Sequence, residues 1–467
     1  MPYRTTSKWR GVLVVAGGIL VHLSLGTLYT FGNLNPYLTS YMRWTGTAPD
    51  LKNTECTWVF AAAAMGQGLV MSLGGVIQSK LGPRLTCLLG SWWMSFGVLM
   101  TYFTIEYSFY LTVLTYGLVF GSGVGIAYSM PLSCGMRWFP ERKGLVNGLV
   151  VAGFGGGAFI FNQVQTAFIN PNNLAAEKEV GDESYFDQPE VLHEVRKVFL
   201  LLGCCYLFMQ LIGSLLICDP PYEQDVAVNE TMTDEEQTAL QNYSKKGASA
   251  ALLPSQSEER NPLCKGDDVV NLRPFEMLRS KYFYMLWFIF LLNGQGIVFI
   301  STLYKAYGQT FIEDDSFLAV VGSFAAIFNA GGRIWWGFLA DKTSFRVSMM
   351  LACACFTCLI LTFQVTELQG RETFFLWVCL LFGSFSGSYS LLPTATAKCF
   401  GREYVSMNYG LVFTSQVISA PLGAFLSQQL ISEIGWPGLC FMVSSFTFTS
   451  MMLAIFFTAK DRHGKEI

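Results

Sequence analysis

Tyr128-Ser129-Met130-Pro131, then Trp138-Phe139, then Asn147-Gly148-Leu149-Val150 after a short basic turn: the chain carries this pattern twice. The second copy reads Tyr389-Ser390-Leu391-Leu392-Pro393, Cys399-Phe400 and Asn408-Tyr409-Gly410-Leu411-Val412. Tyr128 precedes Phe139 by eleven residues, and Tyr389 precedes Phe400 by eleven. The order is the same in both copies, so the repeat is parallel and the two halves of the chain are related.

Both copies lie in apolar surroundings. Of 467 residues 52% are hydrophobic and 13% charged, with a mean hydropathy of +0.40. Soluble proteins carry about 25% charged residues, so this composition cannot cover a soluble surface. A membrane-spanning helix needs about 20 mainly apolar residues. Twelve stretches qualify: about 10–32, 56–79, 85–105, 108–135, 144–168 and 196–217, then 281–304, 317–340, 347–366, 373–397, 405–430 and 437–458. The expected fold is therefore an all-α membrane protein of twelve transmembrane helices in two six-helix halves. The first half is 1–217, a polar linker loop is 218–280, and the second half with its tail is 281–467. Parallel repeats in membranes are related by an axis along the membrane normal, with a site near the midplane where the halves meet.

Lys and Arg concentrate in the segments that share a side with the N-terminus. The positive-inside bias then places the N-terminus, the central loop and the C-terminus in the cytoplasm. The sequons Asn229-Glu230-Thr231 and Asn242-Tyr243-Ser244 fall in that loop and are expected to be unglycosylated. The first apolar run has no small-residue cleavage site and reads as a membrane helix. A net charge of −3 offers no basic field for nucleic acid. The thirteen cysteines lie mostly in apolar runs, and Cys355-Phe356-Thr357-Cys358 reads as packing, so no metal site is expected. No nucleophile–base pair occurs in any loop, which argues against an enzyme. No cofactor is expected.

The turn after each half's second helix also repeats. It reads Gly75-Val76-Ile77-Gln78-Ser79-Lys80-Leu81-Gly82-Pro83-Arg84 and Gly337-Phe338-Leu339-Ala340-Asp341-Lys342-Thr343-Ser344-Phe345-Arg346. This resembles the GxxxD(R/K)xGxR signature of the major facilitator superfamily. The resemblance implies an ionic latch on the cytoplasmic side from Asp341, Lys342 and Arg346, with Lys80 and Arg84 in the first copy. Ser79 stands where the acid is usual, which weakens that copy.

Further segments resemble the oxalate:formate antiporter branch, which adjoins the monocarboxylate transporters. They are Trp138 to Gly144 with Gly153-Phe154-Gly155-Gly156-Gly157, Arg273 to Leu278 leading into Phe283 to Trp287, Asn329 to Arg333 leading into Trp336-Gly337, and Tyr389 to Gly410. The resemblance covers both halves and spares the central loop. It implies a carrier of small carboxylates working by alternating access, with Arg333 as substrate arginine and Tyr29, Tyr128, Phe385 and Tyr389 lining the cage.

The residues bear on this independently. Arginine within a membrane costs about 2.5–3.5 kcal/mol on insertion scales, and its planar fork fits a carboxylate. Arg333 either anchors a substrate carboxylate or pairs structurally with Asp341 or helix-end carbonyls. The branch's dicarboxylate members place a second cation where this chain has Gln416. One arginine neutralises a monoanion, so a monocarboxylate is favoured over oxalate. Gln416 either bonds the substrate's polar tail or makes an interhelical hydrogen bond. His22, in the first helix, is either a proton site or a neutral, hydrogen-bonded histidine. Lys305, before Glu313, Asp314 and Asp315, either joins an external gate or marks a solvated helix end. Uniport, exchange and proton symport all stay open. The plasma membrane is the default location. The rivals are another small polar solute such as an amino acid, a non-transporting receptor on the same fold, and a channel.

Overall fold

The computed structural model describes residues 3–139, 143–180, 183–220, 272–401 and 404–459. Inside a bilayer every backbone N–H and C=O needs an internal partner, which leaves these apolar runs the helix as their solution. The main helices are α1 (Tyr3–Leu25), α2 (Phe31–Trp44), α3 (Asn53–Tyr107), α4 (Phe120–Trp138), α5 (Lys143–Ile169), α6 (Pro189–Leu216), α7 (Lys281–Gly308), α8 (Asp315–Lys342), α9 (Phe345–Leu361), α10 (Arg371–Phe400), α11 (Val405–Phe413) and α12 (Ser415–Ile455). A 3₁₀ turn over Gly26–Thr30 joins α1 to α2, and a π-helical stretch over Val113–Val119 leads into α4.

Among the described residues nine helices are long and apolar enough to cross a membrane. Met407–Ile455 counts as one of them, although Gly435 at φ 61° breaks it before Pro437. Phe345–Leu361 is a shorter apolar helix of 17 residues. The expected twelve further count the run inside α5, the run at 347–366, and the two sides of Gly435 separately. Gly82 at φ 74° and Pro83 turn α3 back on itself. A side chain there would strain a left-handed backbone that glycine adopts freely.

The crossings alternate, so loops 45–52, 170–188, 309–314 and 362–370 share one face, here the far face. The turns at 82 and 343–344 share the face of the termini. On the far face a hairpin pairs Lys178–Val180 with Glu183–Tyr185. Glu183 accepts from the N–H groups of Asn53 (2.8 Å) and Thr54 (3.3 Å), satisfying two donors at the start of α3. Burial pushes the Glu183 carboxyl up, against the pull of Tyr185 and those two amides.

Part of the polar stretch between the halves is ordered. Trp138 Nε1 donates to the Cys218 carbonyl at 2.7 Å, Leu272 N–H donates to the Phe400 carbonyl at 2.9 Å, and Asn408 donates to the Leu272 carbonyl at 3.1 Å. The rest of the linker, with both sequons and its charge runs, lies outside the described residues, as do 140–142 of the basic turn and the tail from 460.

Candidate functional site

The site is built where the first crossing meets α5. A Cβ on Gly26 would lie 1.8 Å from the Phe154 carbonyl oxygen. Only glycine permits that approach, and it sets Tyr29 edge-on to Phe154 with centroids 5.9 Å apart. Phe154 also meets Tyr128 edge-on at 5.3 Å, and Tyr29 reaches across the halves to Phe385 (6.0 Å) and Tyr389 (6.4 Å) on α10. Tyr128 and Tyr389, the paired positions of the sequence repeat, thus lie in one aromatic cluster.

Arg333 enters that cluster from α8. It is 5% exposed, so its charge is removed from solvent. Nε donates to Asn329 Oδ1 at 3.0 Å, one helical turn back, and Nη2 donates to the Tyr29 hydroxyl at 3.3 Å. The guanidinium carbon lies 4.8 Å from the Tyr389 ring centre, 5.6 Å from Phe154 and 6.0 Å from Tyr29. Nη1 has no hydrogen-bond partner among the described residues, and neither does Asn329 Nδ2. No carboxylate of the described residues pairs with Arg333; its neighbours are rings, a hydroxyl and an amide. Such a cation is held by cation–π attraction with donor capacity to spare.

His22 is fully buried, 5.2 Å from the Tyr128 ring and 6.1 Å from Phe154. Its Nδ1 lies 3.2 Å from the Gly18 carbonyl oxygen. A carbonyl only accepts, so Nδ1 carries the proton and Nε2 of the neutral ring is a bare acceptor. Nε2 has no partner among the described residues.

Gln416 is buried on α12 and donates from Nε2 to the Phe290 carbonyl of α7 at 3.1 Å. That is the interhelical bond its residue type allowed. Phe290 in turn meets Tyr389 edge-on at 5.7 Å. At the face of the termini Arg84 donates from Nε to the Ile217 carbonyl at 2.9 Å. Lys80, Asp341 and Lys342 are exposed, with Lys342 Nζ 5.7 Å from the Phe338 ring, and Arg346 is half-buried.

Lys305 departs from the solvated-end reading. It is fully buried, with Nζ 2.7 Å from Asp315 Oδ1 and 2.9 Å from Asn33 Oδ1, over the Tyr37 ring at 4.1 Å. Sequence reasoning missed Asn329, Phe154, Asn33, Tyr37 and Asn170. Asn329 and Asn33 left a local signal, a spacing of four from Arg333 and from Tyr29.

A profile described as Major Facilitator Superfamily matches residues 14–423. The chain belongs to that superfamily. Apicoplast pyruvate carrier 1 of Toxoplasma gondii is 33% identical over 95% of this chain and 88% of its own length. The oxalate:formate antiporter of Oxalobacter formigenes is 23% identical over 82% of this chain and 77% of its own. Among solved structures, the inward-open xylose transporter XylE of E. coli superposes with a TM-score of 0.64 at 11% identity, covering 97% of this chain and 98% of its own. That likeness shows the fold; the family match and the nine apolar helices among the described residues make this a multi-pass membrane protein.

Proposed function

We propose that this major facilitator is a secondary transporter of a small monocarboxylate, bound between its halves and moved by alternating access. The observation that carries the reading is Arg333: a buried guanidinium ringed by Tyr29, Phe154 and Tyr389, whose Nη1 has no partner and which meets no carboxylate among the described residues. A charge held without a counterion inside a membrane is costly. A mobile anion that supplies the counterion and then leaves explains why it is kept. The relatives named for pyruvate and for oxalate and formate support the same class. One unpaired cation balances one negative charge. With Gln416 engaged on Phe290, a monoanion such as pyruvate fits better than oxalate.

Tyr29, Tyr128, Phe385 and Tyr389 shape the cage, and the three tyrosine hydroxyls can donate to carboxylate oxygens. His22 is the proton site in this reading. Its bare Nε2 can take a proton when an anion sits near Arg333, so that one proton travels with one carboxylate. Asp341, Lys342 and Arg346, with Lys80 and Arg84, form the latch at the face of the termini. The Lys and Arg bias places that face in the cytoplasm. The two halves, 1–217 and 281–467, rock about the site, and 218–280 links them. The location is the plasma membrane in our reading, and imaging of a tagged chain decides between it and an organelle.

Uptake of labelled pyruvate and of labelled oxalate into proteoliposomes, with and without a pH gradient, tests this beside Arg333→Gln. Saturable pyruvate uptake, faster with an inward proton gradient and lost in Arg333→Gln, is expected. Gradient dependence that survives in His22→Gln moves the proton site elsewhere. Normal uptake by Arg333→Gln removes the anion site altogether.

A further inference from the structure

The far face holds a second buried charge cluster. Lys305, at the end of α7, and Asp315, at the start of α8, pair at 2.7 Å with 0% and 2% exposure. Both belong to the second half. Their cover comes from the first half. Asn33 Oδ1 accepts from Lys305 at 2.9 Å, the Tyr37 hydroxyl donates to Asp315 while its ring lies over Lys305, and Asn170 Nδ2 donates to Asp315 Oδ2 at 3.0 Å. The same seam is stitched by Gln163 to Ser323 (3.0 Å), by Asn35 to the Thr302 carbonyl (3.0 Å) and by Asn173 to Asp314 (3.1 Å).

Two features say that this seam opens. First, polar groups along it have no partner among the described residues: both ends of the Asn162 amide, the Tyr304 hydroxyl and Asn329 Nδ2. Asn162 Nδ2 and the Tyr304 hydroxyl both border Gly322, between Asp315 and Arg333 on α8. A permanent core avoids such groups because each one loses its water without recompense. A seam that is wet in another conformation keeps them. Second, the cover shares a helix face with the substrate cage. Tyr29, in the 3₁₀ turn, and Asn33 and Tyr37, on α2, follow at intervals of four residues, so they fall on one side of the first crossing. Tyr29 holds Arg333 and the other two hold the ion pair.

We propose that Lys305–Asp315 is the far-side gate of this carrier, and that the Tyr29–Asn33–Tyr37 face links it to Arg333. The ion pair stays within the second half throughout the cycle. The first half docks Asn33, Tyr37 and Asn170 onto it when this side closes, and withdraws them when it opens. Closure therefore requires a neutral pair, because a lone charge cannot be covered. Occupation of Arg333 by a carboxylate competes for the guanidinium with Tyr29, and the same helix face carries that change to the cover. The link to Arg333 rests on the proposed anion site; the gate does not.

Distance measurements between spin labels, made on the full-length chain in lipid nanodiscs, test the gate without substrate. Genetically encoded labels replace Asp50 and Glu372 on the far face, or Leu81 and Thr343 on the face of the termini; these positions are exposed. The native chain should show a closed far side. Asp315→Asn and Lys305→Met each strand one charge, and should shift the population toward the longer far-side distance by at least about tenfold. The other face should shorten in step. The neutral double variant Lys305→Gln/Asp315→Asn should return the native distribution. If a single variant does not yield folded protein, Tyr37→Phe and Asn170→Ala keep the pair and loosen its cover, and should produce a partial shift of the same sign. Unchanged far-side distances in every folded variant overturn the gate. Pyruvate added to the native chain should move the distribution, and should not in Tyr29→Phe. An equal response in both overturns the link alone. Uptake lost in Arg333→Gln with far-side distances unchanged leaves the anion site standing whether or not the gate does.

Discussion

Lys305 and Arg333 are both buried cations of the second half, and they are handled in opposite ways. Asp315 begins α8 and Arg333 lies eighteen residues further on, about 27 Å along its axis at 1.5 Å per residue. Lys305 is matched by a carboxylate and by an acceptor from the facing half, and its ammonium is covered by the Tyr37 ring. Arg333 has an amide, a hydroxyl and three rings, and its Nη1 is without a partner among the described residues. A buried charge with its own counterion is neutral and can be sealed. A buried charge without one is an open valence for something that comes and goes. Burial alone therefore does not mark a binding site in a membrane protein; burial without a counterion does.

That contrast makes opposite forecasts for stability. Asp315→Asn leaves Lys305 charged, buried and unpaired, and breaking such a pair costs about 3–5 kcal/mol. Apparent Tm in detergent should fall by several degrees. Arg333→Gln removes a charge that has no counterion among the described residues, so apparent Tm should hold or rise. Uptake is where Arg333→Gln is felt: losing a charged partner of a buried carboxylate costs about 2–3 kcal/mol or more, a loss of about a hundredfold in Vmax/KM. A fall in Tm for both variants would erase the distinction and make Arg333 a structural cation.

The two cations also differ in how far the sequence showed them. The bilayer dictates apolar runs about twenty residues long, so the helices and their repeat are plain from residue types. Arg333 stands out because it is a charge inside such a run. Lys305 and Asp315 sit at run ends, where charges are ordinarily solvated, and nothing local separates the two cases. Their burial is made by Asn33, Tyr37 and Asn170, which are 272, 278 and 145 residues away from the partners they meet. Those contacts belong to the packing of one half on the other. Gln416 had two readings for the same reason: the residue type fixes that it must bond, and only the fold shows that the Phe290 carbonyl is the acceptor.

A smaller change can convert one cation into the other kind. Asn329 sits one turn before Arg333 and already accepts from its Nε. Asn329→Asp places a carboxylate there, giving Arg333 the resident counterion that Lys305 has. The substrate must then compete with it. KM for pyruvate should rise about tenfold, the equivalent of about 1.4 kcal/mol, and apparent Tm should not fall. Asn329→Ala removes the acceptor without adding charge and should raise KM less. A change in Vmax with KM unmoved would mean that the carboxylate of the substrate does not meet Arg333.

The smallest effect is expected at Gln416. Its amide spans α12 to α7 and ends on the backbone carbonyl of Phe290, whose ring meets Tyr389 edge-on. Gln416→Ala loses one interhelical hydrogen bond, averaging about 0.6 kcal/mol in a bilayer, so uptake should stay within about threefold of native. The pyruvate-over-oxalate preference should be untouched, because the charge count at Arg333 is unchanged. A tenfold loss confined to one substrate would instead show that the amide leaves Phe290 during the cycle and reaches the cargo. The site would then read both ends of its substrate, and the selectivity now assigned to a single unpaired cation would be shared between Arg333 and Gln416.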